Sequence, residues 1–275
     1  MKLELLDVHA RHPAALRGSA ALRGIRLSMA AGEQLAVIGP SGAGKTTLLH
    51  TVGAALRPMA GTVRLGGTDP WAQSVRALQR QRGHLFIAPQ TPPLPPRQRV
   101  VTAVLAGCLP RWSFATSLRS LFYPVDIAGA HAALERFDLA EKLFSRVDRL
   151  SGGERQRVGL ARALVSSATL WLVDEPLSAL DPARAEQAMV TLLSVARERG
   201  ITLLTSMHQV DTALAHFPRI VGLREGHIAF DLPTAQVTEA HLADLYAQHE
   251  YERTGPADDA PLPTAKPPPA VMHCR

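Results

Sequence analysis

Short runs of apolar residues alternate along the chain with longer stretches of helical periodicity. The apolar runs predict buried strands at 34–38, 84–88, 169–173 and 201–206. Helical patterns lie between them, and the clearest covers 183–199, where Gly200 ends it. Strands that alternate with helices in this way predict an α/β fold with a mostly parallel sheet and helices on its faces.

The pattern changes after residue 90. Four prolines between Pro92 and Pro96 interrupt all regular structure in the segment 91–97. Helical periodicity then fills 100–149 and is clearest over 128–144. We therefore interpret 91–150 as a helical insertion into the α/β layout. Earlier in the chain, 60–67 reads as a strand and turn, and 74–81 as a short helix.

The segment that follows the first of these strands carries the most informative motif. It fits G-x-x-x-x-G-K-[ST], the phosphate-binding P-loop, and a helical pattern begins directly after it at Thr47. Its backbone N–H groups and the helix N-terminus would face one anion. Lys45 would reach the β- and γ-phosphates, and Thr46 would place its hydroxyl on Mg²⁺. The motif residues are Gly39, Pro40, Ser41, Gly42, Ala43, Gly44, Lys45 and Thr46.

Two adjacent carboxylates end the apolar run at 169–173. Because side chains alternate along a strand, Asp174 and Glu175 can serve different partners at its carboxyl end. We expect Asp174 on the Mg²⁺ side. Glu175 is the candidate general base for the water that attacks the γ-phosphate.

A second candidate anion site lies at the start of another helix. Ser151 suits a helix N-cap, and Glu154 three residues later completes a capping-box pattern, which is a purely structural explanation. Gly152 and Gly153 would also let phosphate approach that helix start. One nucleotide needs only one P-loop, so a second such site suggests ATP clamped between two copies of the chain.

Taken together, these motifs resemble the nucleotide-binding subunits of ABC transporters over about residues 3–250. The resemblance adds a Q-loop glutamine at Gln90, the signature sequence at 150–156, a D-loop at 178–181 that ends in Asp181, and a switch histidine at His208. It implies a RecA-like P-loop NTPase core with a parallel sheet, antiparallel N-terminal strands and a helical subdomain.

The resemblance also implies an organisation of the chain. The ATPase domain would cover 1–252, with its core in 1–90 and 151–230, the helical subdomain in 91–150 and a C-terminal helical segment in 231–252. Residues 253–275 are rich in proline and would form a disordered tail.

Roles and partners follow from the same resemblance. Two chains would close head to tail over two ATP, so that Ser151, Gly152, Gly153, Glu154 and Asp181 of one chain complete the nucleotide site of the other. His208 would contact the γ-phosphate, and Gln90 would sense it and help to hold Mg²⁺. The helical subdomain would grip transmembrane permease subunits, which would receive solute from a periplasmic binding protein. The chain would act at the cytoplasmic face of the membrane.

The chain departs from the family's pattern at two points. The family stacks adenine on an aromatic residue before the P-loop, whereas this chain has no Phe, Tyr or Trp before Trp71. His9 or His12 is the candidate substitute. The prolines after Gln90 also predict a stiffer Q-loop than is usual.

The helical region and the switch region resemble the ATPases of phosphonate importers. The resembling segments are 104–107, 120–122, 133–142, 208–214 and 219–228, together with Trp112. Importers of phosphate, phosphite or another oxyanion stay open as alternatives, as does an export ATPase of the lipoprotein or macrolide type. A DNA-repair ABC protein would need a long coiled-coil insertion, and the sequence contains none. A translation factor of this class would need two cassettes in one chain, whereas this sequence shows the motifs of one.

Composition limits the remaining classes. The net charge is +6, and four Lys against 26 Arg supply the positive charge, which could meet nucleic acid or an anionic membrane face. The arginines do not form consecutive blocks, and aromatic residues are only 5%, so we expect no nucleic-acid partner. Cys108 and Cys274 have no metal-ligand spacing. We expect no secretory signal and no membrane-spanning segment, because no apolar run reaches 18 residues.

Overall fold

A computed structural model describes residues 1–12 and 20–247. Over these residues the chain forms a three-stranded and a six-stranded sheet. The strands in chain order are β1 (Leu3–Ala10), β2 (Leu22–Met29), β3 (Gln34–Ile38), β4 (Ala60–Leu65), β5 (Leu85–Ala88), β6 (Leu170–Asp174), β7 (Thr202–Ser206), β8 (Arg219–Arg224) and β9 (His227–Pro233).

The six-stranded sheet has the order β5-β6-β7-β3-β8-β9. All neighbouring strands are parallel except β8 and β9, which form an antiparallel hairpin. The four apolar runs found in the sequence are β5, β6, β7 and β3, and they are consecutive neighbours in this sheet. Their carboxyl ends therefore lie side by side along one edge, where ligands bind in open α/β sheets.

The two faces of this sheet bury different parts of the molecule. Alternate residues such as Trp171 and Val173 belong to a core shared with the helices, whereas Leu170 and Leu172 belong to a core shared with the small sheet. The small sheet has the order β2-β1-β4 and is antiparallel throughout. The predicted α/β fold with antiparallel N-terminal strands is confirmed.

The helices connect these strands and include a group in the middle of the chain. In chain order they are α1 (Lys45–Val52), α2 (Val75–Arg82), α3 (Val100–Leu105), α4 (Phe114–Phe122), α5 (Ile127–Glu135), α6 (Gly152–Val165), α7 (Pro182–Glu198), α8 (Val210–His216) and α9 (Glu239–Leu245). Short 3₁₀ turns lie at Pro70–Ala72, Ala106–Arg111, Ala140–Lys142, Val147–Arg149 and Thr234–Gln236.

Local signals set several of these boundaries. Ser74 caps α2 through a bond from the Ala77 N–H to its hydroxyl. The chain turns left-handed at Gly200, where φ is 61°, one residue beyond the C-cap of α7. Both helices lie within one residue of the bounds that the sequence pattern predicts.

The structure departs from the sequence pattern at two points. The pattern over 128–144 does not form one helix, because α5 ends at Glu135 and Asp138 takes a left-handed conformation with φ 52°. The guanidinium of Arg157 in α6 donates to the Phe137 carbonyl at 2.6 Å, which holds the chain in this turn. In addition, 231–233 belongs to β9 and not to a helical segment. The predicted tail at 253–275 lies outside the described residues.

The proline segment after β5 packs directly on α6. A Cβ added at Gly159 would lie 2.7 Å from Cγ of Pro92, so only glycine allows this approach. The segment 91–97 contains no helix or strand, as its composition predicts. Over the described parts of the chain, no helix has both the length and the apolar character needed to cross a bilayer.

Candidate functional site

The carboxyl edge of the six-stranded sheet carries a polar group from each of four neighbouring strands. The P-loop follows β3, Asp174 ends β6, Ser206 ends β7, and Gln90 lies two residues after β5. The pairing of Asp174 with Ser206 across β6 and β7 fixes their relative height. Topology alone therefore gathers groups that are up to 167 residues apart along the chain, from 39 to 206.

Glycine is required at two P-loop positions. Gly39 has φ 149°, and a Cβ there would lie 2.0 Å from the Leu223 carbonyl oxygen. Gly44 has φ 107°, and its Cβ would lie 2.5 Å from the Ala21 carbonyl oxygen. The loop is thus pressed against its neighbours at both ends. At Gly42, where φ is 78°, an added Cβ would meet open space.

Lys45 is the first residue of α1 and is buried. Its ammonium donates to the carbonyls of Gly39 at 2.6 Å and Pro40 at 3.1 Å. These bonds hold the cation inside the curve of the loop, which is where the motif requires a charge for phosphate. Thr47 is also buried in α1, and its carbonyl accepts a bond from Thr51 at 2.7 Å.

Thr46 and Asp174 meet beside the loop. The Thr46 hydroxyl donates to Oδ2 of Asp174 at 2.8 Å, and the Ser206 hydroxyl donates to Oδ1. Both oxygens of this buried carboxylate are therefore oriented by hydroxyl groups. Hydroxyl and carboxylate oxygens are ligands that Mg²⁺ prefers, and Mg²⁺ characteristically uses few protein ligands together with phosphate oxygens. The donor set fits such an ion.

No larger metal centre exists in the described ranges: no three His, Cys, Asp or Glu side chains gather there as a metal site would require.

Glu175 adopts an unusual backbone conformation at the end of β6. Its φ is 44°, a left-handed value that is uncommon for a residue with a side chain. Its N–H donates to the Ser206 hydroxyl at 3.0 Å and to the Ser206 carbonyl at 3.2 Å, and these bonds hold the turn. Such backbone strain concentrates at functional sites.

Two other predicted residues converge on Glu175. The side-chain amide of Gln90 donates to Oε2 of Glu175 at 2.8 Å. Glu175 and the exposed His208 line a common cavity of about 290 Å³, together with Met207 and the start of the loop that follows β6. A carboxylate and an imidazole therefore line one open space at the sheet edge, and the carboxylate is also bonded to the Gln90 amide.

The predicted second anion site forms a separate group. Ser151 accepts a bond from the Glu154 N–H at 3.2 Å, and its own N–H donates to the Glu154 carboxylate at 2.7 Å, so the capping box is present. The bond from the Ser151 backbone lowers the pKa of Glu154. A Cβ at Gly153 would lie 2.9 Å from the Ala179 carbonyl oxygen, so this helix start packs against the loop 178–181.

Asp181 has a structural role of its own in that loop. It caps α7 by accepting a bond from the Arg184 N–H at 3.1 Å and pairs with the Arg184 guanidinium at 3.2 Å. The backbone bond lowers the pKa of Asp181. Gly152 is exposed beside it, and the nearest atom to a Cβ added there would be Cβ of Ala179 at 4.0 Å.

Sequence reasoning missed Ser206. Its hydroxyl joins the Asp174 carboxylate to the Glu175 backbone, and so it connects the two acidic residues. The signal available in the sequence was its position as the last residue of the apolar run 201–206. His9 and His12, the candidate adenine contacts, lie in β1 and directly after it, and their role stays a prediction.

Comparison with known proteins gives consistent matches. A family model described as ABC transporter matches residues 22–178. The phosphonates import ATP-binding protein PhnC of Polaromonas sp. is 65% identical over 277 residues and covers both chains completely. PhnC 2 of Albidiferax ferrireducens is 62% identical, again over both full lengths. PhnC 1 of Pseudomonas aeruginosa is 55% identical over 93% of each chain.

Solved structures of the same fold also match. The ATP-binding cassette MJ0796, in a dimeric post-hydrolysis state bound to ADP and Pi, has a TM-score of 0.72 at 24% identity, covering 84% of this chain and 98% of that one. A cbiO1 protein from Clostridium perfringens, part of the ABC transporter complex cbiONQ, has a TM-score of 0.71 at 23% identity, covering 90% and 94%. At these identities the likeness concerns the fold.

Proposed function

The chain belongs to the ABC transporter family of ATP-binding proteins, and from this premise we propose that it binds and hydrolyses ATP to drive the import of phosphonates. The observation that supports hydrolysis is the set of contacts Lys45 to the P-loop, Thr46 to Asp174 and Gln90 to Glu175 at one sheet edge. The phosphonate assignment is supported by 65% identity over the full length to a protein named for phosphonate import.

The chemistry divides among named residues. The P-loop N–H groups and the Lys45 ammonium bind the β- and γ-phosphates. Glu175 accepts a proton from the water whose oxygen attacks the γ-phosphorus, while the bond from that phosphorus to the bridging oxygen of ADP breaks. Gln90 orients the carboxylate through its bond to Oε2. His208 contacts the γ-phosphate from the other side of the shared cavity.

Thr46 and Asp174 are the residues that would hold Mg²⁺, with Gln90 nearby. When bound, the ion neutralises charge on the phosphate oxygens. Ser206 contributes by fixing the Asp174 carboxylate in its orientation.

Two copies of the chain act together. The exposed start of α6 carries Ser151, Gly152 and Gly153, whose backbone N–H groups suit phosphate. Within one chain, this helix start packs against the loop 178–181. A second copy placed head to tail brings these groups, with Glu154 and Asp181, to the facing nucleotide. Permease subunits bind the helical region near Gln90, and a periplasmic protein delivers the solute, with this subunit at the cytoplasmic face of the membrane.

Growth and uptake test the assignment. A strain that lacks the gene should fail to grow on an alkylphosphonate as sole phosphorus source, yet grow on ample phosphate. The wild-type gene and Lys2→Ala, which changes an exposed lysine outside the site, should restore growth and labelled phosphonate uptake. Lys45→Ala should restore neither. Unchanged phosphonate uptake in the deletion strain, with no redundant system, would disprove the assignment of phosphonate as substrate. The assignment as an ATPase would still stand.

A further inference from the structure

A cavity of about 220 Å³ is lined by the edge strand β5, the proline segment 91–97 and α6. The 3₁₀ turn at Ala106–Arg111 also lines it. One water needs only about 15 Å³ of such volume, so this space is far larger than a packing defect. Most of its wall is apolar, and neither Asp nor Glu contributes to it. The cavity therefore suits an apolar surface and supplies no anion of its own.

Arg162 in α6 is the only charged residue in the wall of this cavity. Among the described residues its side chain has no hydrogen bond or ion pair, and its Nε is buried without a partner. Burial lowers the pKa of this guanidinium, and no neighbouring charge offsets that effect. A buried cation without a counter-charge is unfavourable, so Arg162 is incomplete in the isolated subunit.

Close packing fixes the position of Arg162. A Cβ added at Gly107 would lie 2.3 Å from the Arg162 carbonyl oxygen and 3.2 Å from its Cγ, so only glycine lets the 3₁₀ turn approach this closely. Gly159 lies three residues earlier on the same face of α6 and makes the contact with Pro92. The stem of Arg162 therefore packs on the helix face that the proline segment covers, unlike that of a surface arginine.

The cavity also adjoins the Q-loop. Pro89 and Pro92 line it, and they lie on either side of Gln90 in the sequence. The Gln90 amide bonds in turn to Oε2 of Glu175 at 2.8 Å. A group that enters the cavity would thus touch the segment that carries Gln90, which is the region where the proposed function places the permease.

We propose that a carboxylate side chain of a permease subunit, flanked by apolar side chains, enters this cavity and pairs with Arg162. A guanidinium binds a carboxylate through two parallel hydrogen bonds, which supplies the missing counter-charge. The apolar wall requires aliphatic or aromatic neighbours on the same partner, as at the buried centre of a protein interface. The inference rests on the proposed function, because it names the contact through which the permease binds.

The other polar residues of the wall favour a carboxylate over a phosphate group. They are Gln156 and Ser166, and the Ser166 hydroxyl already donates to the Ala163 carbonyl at 2.7 Å. A doubly charged phosphate has more acceptor oxygens than one guanidinium and one amide can satisfy. A single carboxylate matches the single cation.

Arg162→Met tests the proposal, because methionine is unbranched and adaptable but carries no charge. Binding of the purified full-length subunit to permease subunits reconstituted in nanodiscs should weaken at least roughly 30-fold, since the change leaves the permease carboxylate buried without a partner. Phosphonate uptake should fall in parallel. Arg162→Lys keeps the charge but loses the planar fork, so its binding should lie between those of the wild type and Arg162→Met.

Measurements on the isolated subunit separate this role from a structural one. Arg162→Met removes an unpaired buried charge, so its unfolding midpoint in denaturant should equal or exceed that of the wild type. Basal ATP hydrolysis without permease should also match the wild type. Arg64→Met is the matched control: it makes the same change at an exposed arginine in β4 and should leave stability, hydrolysis and permease binding unchanged.

The partner's carboxylate can be located by changing each acidic residue in the cytoplasmic loops of the permease to its amide. One such change should weaken binding as much as Arg162→Met does, and combining the two should weaken it no further. Wild-type binding by Arg162→Met, a lowered unfolding midpoint, or additive effects with every permease variant would overturn the proposal. If the wild-type subunit itself does not bind the permease, the proposed function fails, and this inference fails with it.

Discussion

The sheet edge and the start of α6 are both suited to bind phosphate, but they are completed in different ways. At the sheet edge, Thr46, Asp174, Glu175 and Ser206 bond to one another across strands that are far apart in sequence. At the start of α6, Ser151 and Glu154 bond to each other within one helical turn, and Glu154 also pairs with Lys142 at 3.5 Å. The first region is assembled by the fold of a single chain, and the second is an exposed helix start that we propose meets a second copy. Variants in the two regions should therefore separate catalysis from assembly.

Glu175→Gln should give the largest effect, and it acts on the sheet edge. The amide cannot accept the proton, so hydrolysis should fall by roughly 10²–10⁴-fold, the usual contribution of a general base. ATP binding should persist and the ATP-bound dimer should accumulate. Phosphate release at saturating ATP measures the first effect and light scattering the second. Glu186→Gln, an exposed change in α7, is the control, and wild-type turnover by Glu175→Gln would exclude this role.

Gly152→Asp should affect assembly alone. A carboxylate at the first residue of α6 favours the helix dipole, and Cβ has room, so the folded monomer should be as stable as the wild type. Facing a γ-phosphate, the same charge should weaken ATP-driven dimerisation by roughly five- to a thousandfold, from about 1–4 kcal/mol of repulsion.

Gly152→Asn supplies the matched neutral control for that charge. It should dimerise much more strongly than Gly152→Asp. Both variants should bind ATP as monomers, because Lys45 lies at the sheet edge and is unchanged in them. Equal dimerisation by Asp and Asn variants in sedimentation experiments would contradict the head-to-tail arrangement.

Ser206→Ala should produce an intermediate effect. It removes the hydroxyl that orients Asp174 and receives the Glu175 N–H, which costs about 1–3 kcal/mol and should reduce turnover roughly tenfold. The adjacent Thr205 is a useful contrast, because its buried hydroxyl has no hydrogen-bond partner among the described residues. Thr205→Val should be neutral or stabilising in denaturant unfolding. Similar losses in both variants would show that Ser206 acts only by packing.

Glu154→Gln should have the smallest effect. Gln keeps the capping-box bond but removes the charge at the helix start, so the free energy of unfolding should fall by about 0.3–1 kcal/mol at pH 7. The folded state lowers the pKa of Glu154, so the stabilisation is present above the unfolded pKa of about 4.3 and is lost as pH falls through the folded value. Denaturant curves of the two proteins should therefore converge once the pH has fallen through this lowered pKa, whereas Glu141→Gln should track the wild type throughout.

The sequence predicts the features whose causes are local. The P-loop, the cap at Ser151 and the end of α7 at Gly200 each depend on a few adjacent residues. The helical pattern over 128–144 is interrupted after Glu135, because the turn there is held by a bond to the Phe137 carbonyl from Arg157, which lies outside that segment in α6. The connection through Ser206 depends on the register of β6 against β7, which no single segment determines. The apolar residues of α4 have the spacing of a core-facing helix, and only the structure shows that Phe114, Leu118, Leu121 and Phe122 are exposed.

The contact between Pro92 and Gly159 has a mechanical consequence. A proline run resists bending, and Gly159 lies in the same helix that begins with the signature residues. A displacement of the segment 91–97 should therefore displace α6 as well, because the proline-rich loop does not bend. Gln90, two residues before Pro92, bonds to Glu175. One movement would thus shift the proton acceptor and the dimer surface in step.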